Sequence, residues 1–293
     1  MENLSEVTED RHLPLVIRLP DYLWDHRFAG RAVLPAVEAM QLLARSVRQF
    51  DPGCHVHRMV DAGFERFLYL DEMSDGTVAA VFNHLRRHMD GSLSAVLAVK
   101  YRSPKMAITR TKAHVSVKFT PADVPKAPSA PPYEATCALP GSVFEVPVST
   151  IYPYLVPFGP AYQNMASNLR VAKSGAVVDV KSPDFGGDTR PLGSPFPLDA
   201  VMHAACVWGQ RFSSLVAFPV GLGRRIILKP TQTGESYRAK VQFDPVRSTP
   251  AKLVFDVWIY DRHGELREAV SGLHMQDVSG GRLKPPDWIK DGL

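Results

Sequence analysis

PADVPKAPSAPPYEATCALPGS, residues 121–142, carries six prolines in a single short run. Proline fixes φ and has no N–H to donate, so such a stretch resists both helix and central strand. It reads as a linker between an N-terminal module, 1–120, and a C-terminal module, 143–293. The total of 293 residues suits two modules of roughly 100–150 residues each.

The two halves follow one plan. In the first, Pro35–Phe50 reads as a helix: Pro35 suits an opening turn, Val37, Met40, Ala44 and Val47 recur at helical spacing, and Asp51-Pro52-Gly53 stops it. In the second, Pro197–Ser214 again opens with proline and sets Leu198, Val201, Met202, Ala205, Trp208 and Phe212 on one broad apolar face. Strand-like alternation fills much of the remainder. SLSAVLAVKYRS and AHVSVKF belong to the first half. KLVFDVWIYD, the turn signal Asp261-Arg262-His263-Gly264 and ELREAVSGLHMQDV read as a hairpin in the second. One helix plus one antiparallel sheet, twice, implies an α+β chain with an internal duplication and not alternating βαβ units.

Bulk properties narrow the function classes. Lys and Arg number 34 against 30 Asp and Glu, a formal charge of +4. That mild excess does not point to nucleic acid, whose binders concentrate basic residues, and it permits an acidic protein partner. Cys54, Cys137 and Cys206 share no metal or redox spacing and suggest a reduced, cytoplasmic setting. The start MENLSEVTEDRH is too polar for a signal peptide, and no apolar run nears the roughly 20 residues of a membrane span.

Three motifs carry the chemistry. His26, Gly30 and Pro35 fit HxxxGxxxxP immediately before the first helix; Phe158-Gly159-Pro160 follows in the second half, with Tyr162 and Gln163; Asp199 and His203 form DxxxH at the start of the second helix. In this order, from about Leu13 to about Val278, the chain resembles the dehydratase domains of polyketide synthases, which carry HxxxGxxxxP, a YGPxF-like motif and DxxxQ/H. The resemblance implies a double hotdog: two antiparallel sheets, each wrapped around a central helix. It also implies that His26 is a general base and Asp199 a general acid, meeting across a substrate tunnel to remove water from a β-hydroxyacyl thioester. Neutral imidazole is a competent base near neutral pH. A carboxyl group donates a proton there only where apolar surroundings keep it neutral, whereas the first turn of a helix favours the anion; the sequence leaves that balance open. His203, one turn on, is placed to orient Asp199. Gly30, Pro35, Gly159 and Pro160 read as backbone-shaping residues and Gln163 as support, with amides near Gly30 or Gly159 available to the thioester oxygen. The family's Tyr before Gly-Pro is Phe158 here, which removes a hydroxyl that Tyr154 or Tyr162 would have to replace.

No cofactor is implied, since the acyl group arrives on the phosphopantetheine arm of an acyl carrier protein. Arg224, Arg225 and Lys229 are the candidate docking cations, and the resemblance leaves a homodimer open. His84 with His88 and His55 with His57 have ligand-like spacings but lack completing residues, so no metal is expected. GLGRR at 221–225 lacks the glycines and the strand-to-helix context of a dinucleotide site, and Arg86-Arg87 reads as solvated charge. Two alternative activities remain: a product-template-like polyketide cyclase on the same fold, and a degenerate module that binds acyl chains or carrier without chemistry.

Overall fold

The computed structural model describes residues 6–74, 77–102, 109–121, 129–186 and 190–291. It contains two compact units, one of Met1–Lys126 with Thr189–Leu192, the other of Ala127–Asp188 with Gly193–Leu293. Of the proline-rich stretch 121–142, residues 122–128 lie outside the described residues. Within the description no helix is long and apolar enough to cross a membrane.

The first unit holds strands β1 (Val7–Pro14), β2 (Arg27–Phe28), β3 (Arg31–Ala32), β4 (Arg58–Phe64), β5 (Val78–His88), β6 (Leu93–Arg102) and β7 (Thr109–Phe119), with helix α1 (Ala36–Phe50). Its sheet runs β1-β5-β6-β7-β4 with every neighbour antiparallel. The apolar face of α1 (Val37, Met40, Leu43, Ala44 and Val47) is buried, and the helix lies against β5, β6 and β7. Two polar residues on that face are satisfied internally: Asn83 Nδ2 donates to Ser46 Oγ (3.1 Å), and Gln41 Oε1 accepts the Leu192 N–H (3.1 Å).

In the second unit β8 (Phe144–Val146), β9 (Leu169–Ala172), β10 (Gly175–Lys181), β11 (Phe218–Ile227), β12 (Ser236–Phe243), β13 (Lys252–Asp261) and β14 (Leu266–Gln276) accompany helix α2 (Phe196–Phe212). The sheet order is β11-β14-β13-β12-β10-β9-β8, again antiparallel throughout. The hairpin read from sequence is β13–β14, and the first-half runs are β6 and part of β7. Helix α2 packs on β10 to β13. Gly209 lets it come close to β13, because a Cβ there would stand 3.0 Å from Leu253 Cδ1.

Residues 129–142 pack onto this unit. Tyr133 and Ala130 cover Trp258, Tyr260 and Ala269, and Tyr260 donates its hydroxyl to the Pro131 carbonyl (2.6 Å). Lys240 Nζ reaches the carbonyls of Ala135 and Ala138 (3.2 and 3.3 Å). Both long helices begin one residue from the sequence reading: Pro35 caps α1 from an extended conformation, and α2 starts at Phe196 and ends at Phe212, with Ser214 in the left-handed region at φ 54°.

The turn between β2 and β3 is two residues long, with Ala29 at φ 48° and Gly30 at φ 82°. Two successive positive φ values make a primed hairpin turn, which is why glycine stands in the motif at this point. A Cβ on Gly30 meets nothing within 4 Å, so its requirement is conformational and not steric. Gly30→Ala should therefore lower stability by about 1–2 kcal/mol in a denaturant titration, and Gly30→Asn should recover most of it. Equal losses for both variants would mean that something other than backbone conformation is at stake.

Candidate functional site

A 3-10 turn, Asp21–Asp25, delivers the chain to His26, whose N–H closes on the Leu23 carbonyl (3.2 Å). The β2–β3 hairpin then brings Val33 back beside it. Val33 N–H donates to the His26 carbonyl (2.9 Å), and His26 Nδ1 lies 3.2 Å from the Val33 carbonyl oxygen. A carbonyl only accepts, so in the neutral ring Nδ1 carries the proton and Nε2 carries the lone pair. Pro35 completes the arrangement by accepting the N–H groups of Glu38 and Ala39 (3.1 and 3.0 Å) as α1 begins. In HxxxGxxxxP the glycine and proline thus fix the backbone that fixes the imidazole.

The other candidate pair lies in the second unit. Asp199 sits in the first turn of α2, 4% exposed, its N–H on the Pro195 carbonyl (3.1 Å). His203 follows one turn later, equally buried, with Nε2 3.0 Å from Asp199 Oδ2. The distance suits a hydrogen bond but the angle does not. This is a close electrostatic contact without a hydrogen bond.

The segment Ile151–Met165 walls the pair. Its wide turn Ile151–Leu155 buries Tyr152, whose hydroxyl accepts the Met165 N–H (3.0 Å) and whose ring meets His203 edge-on at 6.0 Å. Burial pushes the Tyr152 phenol well above its ordinary value, so it stays protonated. Phe158 lies against the His203 ring at 4.9 Å. Gly159 caps the 3-10 turn Pro160–Tyr162, and Gln163 Nε2 ties it back to the Phe158 carbonyl (2.9 Å). Gly159, Pro160 and Gln163 therefore shape the loop that carries Phe158.

Two expectations about tyrosine change. Tyr154 is 66% exposed and stacks edge-on with Trp288, away from His203. Tyr162 is buried against Phe158 and Phe196. The phenol near His203 is Tyr152, which no motif pointed to.

The docking cations also divide. Arg225 is 1% exposed and gives both Nε and one terminal nitrogen to Glu268 (2.8 and 3.1 Å). Its charge is spent inside the unit, so the docking role expected of Arg225 is withdrawn. Arg224, adjacent on β11 and so facing the opposite side, is partly exposed; Lys229 is exposed, 3.6 Å from the exposed Glu265 carboxylate. GLGRR lies within β11 and opens no helix. Arg86 and Arg87 are surface partners of Asp10 and Asp51 (3.1 and 3.0 Å). His57 Nε2 bonds the Pro191 carbonyl (2.7 Å) and His88 Nε2 the Ser94 hydroxyl (2.7 Å).

Residues 147–285 match the family model described as "Polyketide synthase dehydratase N-terminal domain". The match covers just under half of the chain, and all of it lies in the C-terminal half. Solved dehydratase domains share its fold. A trans-AT polyketide synthase dehydratase domain from Brevibacillus brevis superposes with TM-score 0.71 at 14% identity, covering 92% of this chain and 93% of that one. The dehydratase domain of RzxB from Pseudomonas fluorescens gives 0.63 at 16%, covering 94% and 90%. The dehydratase domain from the CurJ module of the curacin polyketide synthase gives 0.66 at 17%, covering 87% and 86%. At these identities the structural likeness concerns the fold alone. No curated protein sequence matches the chain.

The buried Arg225–Glu268 pair is a structural device. Removing one partner leaves the other charged and unpaired inside the protein, at a typical cost of about 3–5 kcal/mol. Glu268→Ala should therefore lower stability steeply in a denaturant titration. Replacing both residues, Arg225→Met with Glu268→Leu, should restore most of the loss. A mild Glu268→Ala effect would show that the pair is not desolvated.

Proposed function

We propose that this chain eliminates water from a β-hydroxyacyl thioester carried on acyl carrier protein, leaving an α,β-unsaturated thioester, and that its units are the two hotdog modules of that enzyme family. The observation that carries the reading is the His26 Nδ1 bond to the Val33 carbonyl. It gives a histidine in the family's first motif the tautomer a base needs. The dehydratase family match over residues 147–285 supports the reaction class, and the burial of Asp199 beside His203 supports its role.

In this scheme Nε2 of His26 takes the α-proton. The α-carbon electrons form the new double bond, and the β-carbon–oxygen bond breaks. Asp199 protonates the departing hydroxyl, which leaves as water. The proton on His26 and the vacancy on Asp199 are then reset by exchange with solvent. His203, 3.0 Å from Asp199 Oδ2, holds the carboxyl in place. Phe158 takes part only as an apolar wall. No cofactor is required, because the reaction transfers protons and no electrons. Arg224 and Lys229 are proposed to meet the acidic carrier, where positive charge speeds encounter.

The test is the rate of water loss from a β-hydroxyacyl thioester. His26→Ala and Asp199→Asn should each slow it by about 10²–10⁴-fold while circular dichroism stays unchanged. The double variant should be scarcely slower than either single one, since the two groups act as one unit. Arg224→Glu with Lys229→Glu should slow turnover of carrier-bound substrate and spare a small thioester. A folded Asp199→Asn enzyme with wild-type rate would remove Asp199 from the chemistry. Equal slowing on both substrates would remove the docking role.

A further inference from the structure

The sheet register joins groups that are far apart in sequence. Asp10 and His12 are two apart on β1 and so project from one face. β1 pairs antiparallel with β5, setting His12 opposite His84 and Asp10 opposite Arg86. This is the outward face of β5, since Asn83 and Leu85, on either side of His84, are buried in the core. His84 Nε2 stands 2.9 Å from Asp10 Oδ1, and the His12 and His84 rings meet edge-on at 4.6 Å.

We propose that Asp10, His12 and His84 bind a divalent late first-row metal ion, with zinc the physiological candidate. One donor atom from each residue already lies within 4.8 Å of the other two. Donor atoms on a tetrahedral zinc, with bonds of about 2.0–2.2 Å, stand roughly 3.3 Å apart. The Asp10–His84 pair is within a few tenths of an ångström of that spacing, and His12 needs only side-chain rotation at the surface. Two imidazoles and one carboxylate are ligands that suit zinc, copper or nickel and not magnesium or calcium. The site lies away from His26 and Asp199 in sequence and does not rest on the proposed reaction.

The surroundings favour loading. Arg86 Nε donates to Asp10 Oδ2 (3.1 Å), which leaves Oδ1 for the metal and fixes the carboxylate plane. The Arg86 charge opposes an incoming cation, but this exposed pair is screened by water and worth little. Phe82 backs His12 at 4.7 Å and restricts its ring. A metal at His84 Nε2 needs the neutral ring to carry its proton on Nδ1, so the bond to Asp10 is exchanged for the metal bond. Since β1 is joined to β5 along this register, the ion would staple the N-terminal strand to the sheet.

The experiment uses the tag-free, chelator-treated full chain. Zinc chloride is titrated by calorimetry, and cobalt chloride by visible absorption, which reports nitrogen and oxygen ligation directly. One equivalent should bind saturably and raise the melting temperature. His12→Ala and His84→Ala should each weaken binding more than about tenfold, and Asp10→Asn should also weaken it. His55→Ala, an exposed histidine elsewhere, should bind as wild type. Each altered side chain is at the surface, and circular dichroism of the metal-free variants checks their folding. Absence of saturable binding, or equal affinity in wild type and the His12 and His84 variants, would overturn the proposal.

Discussion

The second unit is organised around the desolvation of one helix. Fifteen of the seventeen residues of α2 are buried, so the helix cannot rest on a single apolar stripe and must be enclosed nearly all round. Strands β10 to β13 enclose part of it. Its own polar groups recruit more of the chain: Trp208 Nε1 draws in the Ala172 carbonyl (2.8 Å), and Gln210 Nε2 the Leu155 carbonyl (2.9 Å). The latter bond anchors the end of the turn that carries Tyr152 and leads to Phe158. The enclosure that buries α2 therefore also walls Asp199 and His203 with aromatic rings. In water these side chains would be screened; here their 3.0 Å contact lies where charge interacts more strongly.

His26 is held by a local device of another kind. Residues 26 and 33 exchange two bonds, Val33 N–H to the His26 carbonyl and His26 Nδ1 to the Val33 carbonyl. The exchange works because Ala29 and Gly30 turn the chain with positive φ between them. A buried helix positions one candidate group and a six-residue hairpin the other, with a hydrogen bond to the backbone deciding the imidazole tautomer.

The sequence reading succeeded where the information was local or periodic. Both long helices, the β13–β14 hairpin and β6 follow from spacing and turn residues. His26 stands out because it heads the motif that leads into α1, and Asp199 because its motif begins in the first turn of α2. Other features needed the third dimension. Alternation along a strand says that Arg224 and Arg225 face opposite ways, but not which is inside; Glu268, forty-three positions later, decides that. Likewise the sequence offered His84 and His88 as a pair, whereas the β1–β5 register gives His84 the neighbours Asp10 and His12. Tyr152 belongs to no motif, and only the folding of its loop brings its ring to His203. The proline-rich stretch read as a spacer, yet its described part is a cover for β13 and β14, because exposed Trp258 and Tyr260 would be costly.

The central claim is that the chain removes water from a carrier-bound β-hydroxyacyl group. The most direct test incubates the intact protein with a β-hydroxyacyl carrier protein and weighs the bound acyl group by mass spectrometry. The account predicts loss of the mass of one water, with a double bond between the α and β carbons. A cyclic product would instead identify a cyclase, and an acyl group recovered unchanged, although bound, would contradict the account and leave a module that binds without chemistry.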